Sequence, residues 1–217
     1  MQEELRSQVS LDGAVDADWR TVAGLDVSYA KDSDLLAAAA VVLDIRTLDV
    51  VETAVVTGEA DFPYVPGLLG FREVPVLLRA LERLSVTPDL LVCDGYGLAH
   101  PRRFGLACHV GVVTGLPSFG VAKTAFTATY AEPGAQRGSW SPLLDGTDVV
   151  GRALRTQSGV KPVFVSPGHL VGLGEITKIT LRMCPKFRIP EAIRRADSLS
   201  RAALRSDPAD AGPDGPP

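Results

Sequence analysis

Apolar and polar positions alternate strictly from residue 21 onward: Val22, Gly24, Asp26 and Ser28 fall on one face of an extended segment, Leu25 and Val27 on the other. Two more apolar runs, 35–43 and 50–57, follow across the polar break at 44–49, and connections this short predict an antiparallel meander of three strands. The stretch Ala60-Asp61-Phe62-Pro63-Tyr64-Val65-Pro66-Gly67 then interrupts all periodicity. Its prolines stiffen a loop that presents Phe62 and Tyr64 as a core plug or an exposed wedge, and the residues alone favour the plug. Val74, Leu77, Leu78, Leu81 and Leu84 recur at helical spacing, which predicts an amphipathic helix to about 84 with Pro75 in its first turn or at a kink.

In the second half, the short apolar run 89–93 reads as a strand buried on both faces, 103–115 as a helix and 117–122 as a strand leading to Lys123. Strands alternating with helices imply parallel pairing through right-handed crossovers. A mixed five-stranded sheet, its first three strands antiparallel and the rest parallel, flanked by helices, has the order of an RNase H-like α/β fold. That order sets carboxylates of the first and fourth strands, Asp26 and Asp94, side by side. Residues 129–151, rich in Gly, Pro and Ser, read as a long loop, 153–156 with 163–166 as a hairpin, and 173–183 and 191–204 as helices. We expect one domain over 1–206 and a disordered tail at 207–217, which is composed almost wholly of Pro, Gly, Asp and Ala.

Composition narrows the class. A chain of 217 residues, 46% hydrophobic, can bury a full core. It has no cleavable leader pattern and no apolar run near the roughly 20 residues of a membrane helix, so a cytoplasmic protein is expected. Cys93, Cys108 and Cys184 lack metal or disulfide spacing and read as buried thiols. A net charge of −4 argues against a nucleic-acid footprint until its distribution is read. Many acids crowd the two ends, while Arg102, Arg103, Lys123, Arg152, Arg155, Lys161, Lys178, Arg182, Lys186 and Arg188 lie in the middle and later part. No apolar seam outside the expected core calls for an oligomer, so a monomer is expected.

The chemistry concentrates after the 89–93 strand, where Asp94-Gly95-Tyr96-Gly97 runs into His100-Pro101-Arg102-Arg103-Phe104-Gly105 at the edge of a sheet, the place where α/β folds keep their ligands. Taken singly, Asp26 reads as an edge accident, Glu73 as a partner of a helix dipole, and His109 as a structural histidine on an apolar helix. Together, Asp26, Glu73 and Asp94 are acids on separate elements that the expected fold converges, with His100, Lys123 and His169 at loop ends nearby. Magnesium takes a few carboxylate oxygens with waters and a substrate phosphate, and such a cluster offers that set. In-line phosphodiester cleavage needs the same groups.

These blocks resemble the endonuclease V family. The resemblance rests on Gly24-Leu25-Asp26-Val27-Ser28-Tyr29, Tyr64-Val65-Pro66-Gly67 with Phe71-Arg72-Glu73, the Asp94 to Gly105 stretch, Gly120-Val121-Ala122-Lys123 and Ser166-Pro167-Gly168-His169, in order. It implies a repair endonuclease that recognises deoxyinosine and hydrolyses the second phosphodiester bond 3′ to it, leaving 3′-hydroxyl and 5′-phosphate ends. It further implies Mg2+, with Mn2+ as substitute, held by Asp26, Asp94 and Glu73, and Lys123 and His169 in the catalytic centre. Lesion and DNA contacts would come from Tyr64, Val65, Pro66 and Gly67 as a wedge and from Gly95, Tyr96, Gly97, His100, Arg102, Arg103 and Gly120. Tyr96 stands where many relatives carry a smaller or more polar residue or His. The implied partner is deoxyinosine-containing DNA, with no membrane. Two other readings share these residues: an endoribonuclease acting on inosine in RNA, and a lesion-binding module without catalysis.

Overall fold

The computed structural model describes residues 2–12, 18–31, 33–60, 62, 65 and 67–206. Elements follow as α1 (Gln2–Arg6), β1 (Thr21–Tyr29), β2 (Leu35–Asp44), β3 (Val50–Glu59), α2 (Leu69–Glu82), β4 (Leu90–Cys93), α3 (Leu106–Thr114), β5 (Ser118–Ala122), β6 (Trp140–Asp145), β7 (Asp148–Leu154), β8 (Val163–His169), α4 (Leu173–Arg182) and α5 (Glu191–Ser206). The strands form one sheet in the order β3-β2-β1-β4-β5-β8-β7-β6. The first three are antiparallel, and β4 and β5 join in parallel, as the sequence pattern implied.

The mixed α/β class stands, but the sheet has eight strands where five were expected. β8 pairs antiparallel with β5 and, as the expected hairpin, with the end of β7, while β6 and the start of β7 extend the sheet through what reads as a loop. Pro142 and Gly151 make that segment look broken. Pro142 lies on the outermost strand, where a missing N–H costs no ladder bond. The tail at 207–217 lies outside the described residues.

Alternation along the strands builds two cores. Val22, Ala39, Val41, Phe119 and Val165 face α4 and α5, packing on Ile176, Met183, Ala192 and Ile193. Ala23, Leu25, Ala38, Ala40 and Leu91 face α2 and α3, packing on Val74, Leu77, Ala107 and Val110. The alanine run of β2 leaves room for a helix close on either face. Gly24 does the same on β1: a Cβ there would overlap the backbone of Ala192, so α5 lies against the strand. α2 starts at Leu69 and carries Pro75 in its interior, where no N–H is available for the Phe71 carbonyl. α3 starts late because Arg103 sits in the left-handed region at φ 53 and Gly105 is extended.

Candidate active site

Register brings the acids together. Leu25 of β1 pairs with Cys93 of β4, and the Asp94 N–H donates to the Leu25 carbonyl at 3.2 Å, so Asp26, where β1 runs on past β4, and Asp94, just after β4 ends, are neighbours. Asp26 lies on the α5 face, where the Ser200 hydroxyl donates to its Oδ2 at 2.9 Å and shares a 2.8 Å hydrogen bond with Ser28. Burial, then the charge of Asp94, push the Asp26 carboxyl up to about 6, with Ser200 opposing and Asp197 adding to the rise. Glu73, buried in α2, accepts from the Tyr29 hydroxyl at 3.1 Å. Burial raises it to about 8, the Tyr29 bond opposes, and the charges of Asp26 and Asp94 add to the rise.

Lys123 follows the end of β5 and its ammonium holds Asp94 Oδ2 at 2.5 Å. Partial burial works against that charge, yet the bond to Asp94 and the fields of Asp94, Asp26 and Asp197 raise its pKa overall. Asp197, on α5, lines one open cavity with Asp26, Asp94, Lys123 and Arg201. Asp26, Asp94 and Asp197, with Glu73 close enough to feel the charges of the first two, form an all-oxygen donor set of the kind Mg2+ takes, so the residues fit such an ion chemically. Among the described residues no three His, Cys, Asp or Glu side chains close on one point as a ready cage.

A second cavity of about 350 Å³ shares Asp94 and Lys123 as a wall. Gly67, Gly95, Tyr96, His100, Phe71, Phe104 and Phe126 are among the residues that line it. Its wall is built by close approach. The Gly97 N–H donates to Ser166 Oγ at 2.8 Å, and a Cβ on Gly97 would overlap the Pro167 carbonyl, so the loop after Asp94 lies directly on β8. Gly120 passes under the same loop, against the Gly95 carbonyl, and acts through that loop instead of facing a ligand. Tyr96 stacks on Phe126 with ring centroids 5.3 Å apart, and its hydroxyl donates to the Thr124 carbonyl at 3.1 Å. His100 Nδ1 accepts from the Arg102 N–H at 3.2 Å, which leaves Nε2 to carry the proton of the neutral ring. Its pKa is lowered by burial and then by Arg102.

The other expected residues divide. Gly67, at φ 81, lines the cavity, and Val65 is exposed beside it, while Tyr64 and Pro66 of the expected wedge lie outside the described residues. Arg102 reaches Gln2 Oε1 at 2.8 Å. Arg103 is clasped by Asp145 at 2.6 Å and Asp148 at 3.2 Å, so it fastens the loop to the β6–β7 turn. His169 is not brought to the acids. β8 runs against β5, so His169 pairs with Ser118 at the start of β5, the end opposite Lys123, and its Nδ1 accepts from the Ser10 N–H at 3.2 Å. Asp197, Ser200 and Phe126 escaped the sequence reading. The signal that could have found the first two is the spacing of Asp197 and Ser200 on the apolar side of α5, next to the buried Ala196.

A mixed sheet with one carboxylate within its first strand and its neighbour at the end of the fourth, beside a base-sized cavity, defines an RNase H-like nuclease class. The chain belongs to the endonuclease V family, whose model matches residues 3–198. The endonuclease V of Streptomyces avermitilis is 61% identical over 207 residues, 94% of this chain and 90% of that one. Its crystal structure superposes with a TM-score of 0.90 at 60% identity, over 94% and 90% of the two chains. The catalytic domain of human endonuclease V gives 0.87 at 35% identity, over 94% and 93%. The endonuclease V of Ciona intestinalis, in complex with a 24mer DNA containing an inosine followed by a ribo-adenosine, gives 0.81 at 28%, over 94% and 95%. Among the described residues no helix is long and apolar enough to cross a membrane.

Proposed function

We propose that this chain is a Mg2+-dependent repair endonuclease that extrudes hypoxanthine from DNA and cuts the second phosphodiester bond on its 3′ side. One observation carries the reading: a cavity of base size and an acidic cavity meet at Asp94 and Lys123, so a base held in one sets its own backbone across the other. The Ciona relative's inosine-containing DNA supports the substrate. Poor pairing lowers the cost of extruding the base, and a loop of glycines lets backbone groups approach its edge.

Asp26 and Asp94 would hold the ion, with Glu73 and Asp197 completing the acidic set; Mn2+ would fit the same oxygen donors. When bound, the ion supplies charge neutralisation at the phosphate and activation of water. The chain's residues do the rest. Lys123, kept protonated by the surrounding acids, exchanges Asp94 for a phosphate oxygen. Burial under α5 and α2 keeps bulk water from Asp26 and Glu73. Water attacks phosphorus, the P–O3′ bond breaks, and a 3′-hydroxyl and a 5′-phosphate result. His169 has a structural part in this reading, tying the segment at Ser10 to β8. The enzyme would work as a cytoplasmic monomer. Because a ribo-adenosine follows the inosine in the Ciona complex, inosine-containing RNA is the second substrate class to test.

The test is nicking of end-labelled DNA with one deoxyinosine, with Mg2+ or EDTA, by wild type and Asp94→Ala. The expected result is a single Mg2+-dependent nick on the 3′ side that the substitution abolishes while lesion binding persists. Binding without cutting under any divalent metal would replace the nuclease with a lesion-binding module. Cutting of an RNA counterpart alone would move the substrate.

A further inference from the structure

His109 has a position that an apolar helix face does not require. It is 6% exposed, yet it lines the cavity of about 350 Å³. Phe71 and Phe104 flank its ring, with centroids 4.7 and 5.4 Å away. Among the described residues its imidazole makes these ring contacts and no hydrogen bond, and no buried side-chain nitrogen or oxygen is left without a partner beyond reach of solvent. Its ring nitrogens therefore reach solvent, and the cavity is the open space this residue lines, with Nδ1 on the side of Gly70. A ligand entering the cavity takes the place of the water that such a nitrogen otherwise bonds.

We propose that His109 makes one hydrogen bond to the C6–N1 edge of the extruded base, at its 6-oxo group or its N1–H, and so helps select hypoxanthine; the proposal rests on the lesion-cavity reading above. Phe126, 47% exposed, and Lys123, with half its side chain exposed, mark the mouth, whereas His109 lies at the floor. A purine is tethered to its sugar through N9, and the C6–N1 edge is the part farthest from that bond. A base entering past Lys123 and Asp94 carries that edge toward the floor. Burial pushes His109 down to about 4, so at neutral pH the ring is uncharged, and the nitrogen that meets the base is a donor to the 6-oxo group or an acceptor for N1–H according to its tautomer.

The experiment measures affinity in EDTA for oligonucleotides carrying hypoxanthine or purine riboside's deoxy analogue, which lacks the 6-oxo group and the N1 proton, in wild type, His109→Phe, His109→Gln and His109→Asn. Phe keeps the ring between its aromatic neighbours and removes the polar atoms; Gln and Asn put an amide near one ring nitrogen or the other. Wild type should prefer hypoxanthine through this contact by roughly threefold to tenfold. His109→Phe should lose that preference by weakening on hypoxanthine alone, and one of the amides should regain part of it. A folded His109→Phe that keeps the full preference overturns the proposal. Where thermal melting shows His109→Phe unfolded, the amide variants decide: full preference in both overturns it, and loss in either supports it. Wild type that binds hypoxanthine no better than undamaged DNA would sink the substrate reading itself, an outcome visible before any variant is compared.

Discussion

Asp26 shows how much a single neighbour decides. It is more buried than Asp94, and the proposed role needs it ionised, which burial and Asp94 resist. The Ser200 hydroxyl, which donates to it from α5, favours its charged form, and Ser28 stands behind that hydroxyl as the next link. Ser200→Ala should therefore raise the Asp26 pKa further and move the acid limb of the pH–rate profile upward. The rate should fall severalfold at about pH 6 and recover toward wild type at about pH 8.5, consistent with one lost hydrogen bond to a charged group. An equal loss at both pH values would show that Ser200 only packs. The sequence made Asp26, Glu73 and Asp94 legible because each breaks the pattern of its element: an acid inside an apolar strand, an acid near the start of an amphipathic helix, and an acid closing a buried strand. It hid Asp197 and His109, because a charged residue on a helix usually faces solvent and a histidine among apolar neighbours usually packs; only the placement of α5 and α3 against the sheet reveals what they face.

At the scale of elements, α5 is the part that turns a sheet into a site, since it carries Asp197 and Ser200 to Asp26. Its approach depends on Gly24, where any Cβ meets the Ala192 backbone. Gly24→Ala should cost about 1–3 kcal/mol in urea denaturation, the range for overpacking a close contact. It should also lower the nicking rate at saturating metal, because α5 must move away. Gly174 offers the control: it lies in α4 with open space around its Cα, so Gly174→Ala should leave stability unchanged or raise it by up to about 1 kcal/mol, with the nicking rate unaltered. Equal effects of the two substitutions would sink the argument. The first five strands were readable because alternation and continuous apolar runs are strong signals. β6 and the start of β7 were not, since Pro142 and Gly151 mimic a loop: Pro142 sits on the edge strand, and Gly151 lets β8 come so close that a Cβ would meet the Val165 carbonyl, while the end of β7 was read as the hairpin with 163–166. The direction of β8 was equally hidden, and with it the distance that separates His169 from the acids.

The whole molecule holds its acids between two helix layers, so its stability is linked to their charge. Glu73 is raised from 4.5 to about 8 and Asp26 from 3.8 to about 6, both first by burial. The folded state thus holds protons that the unfolded chain releases. The stabilisation is complete below the unfolded values near pH 4 and is lost as pH rises through about 6 and then about 8, a change on the order of a few kcal/mol in the metal-free protein. Wild type in EDTA should lose thermal midpoint relative to Glu73→Gln between about pH 5 and pH 8.5, because Gln keeps an acceptor for the Tyr29 hydroxyl and cannot ionise. Magnesium requires ionised carboxylates and opposes their mutual repulsion, so its addition should raise the wild-type midpoint more at about pH 8 than at about pH 6. Asp94→Asn should respond little at either pH. If Glu73→Gln and wild type melt in parallel across this range, Glu73 is not held neutral by the fold; if Mg2+ raises the midpoint of wild type and Asp94→Asn alike, the ion binds somewhere other than Asp26 and Asp94.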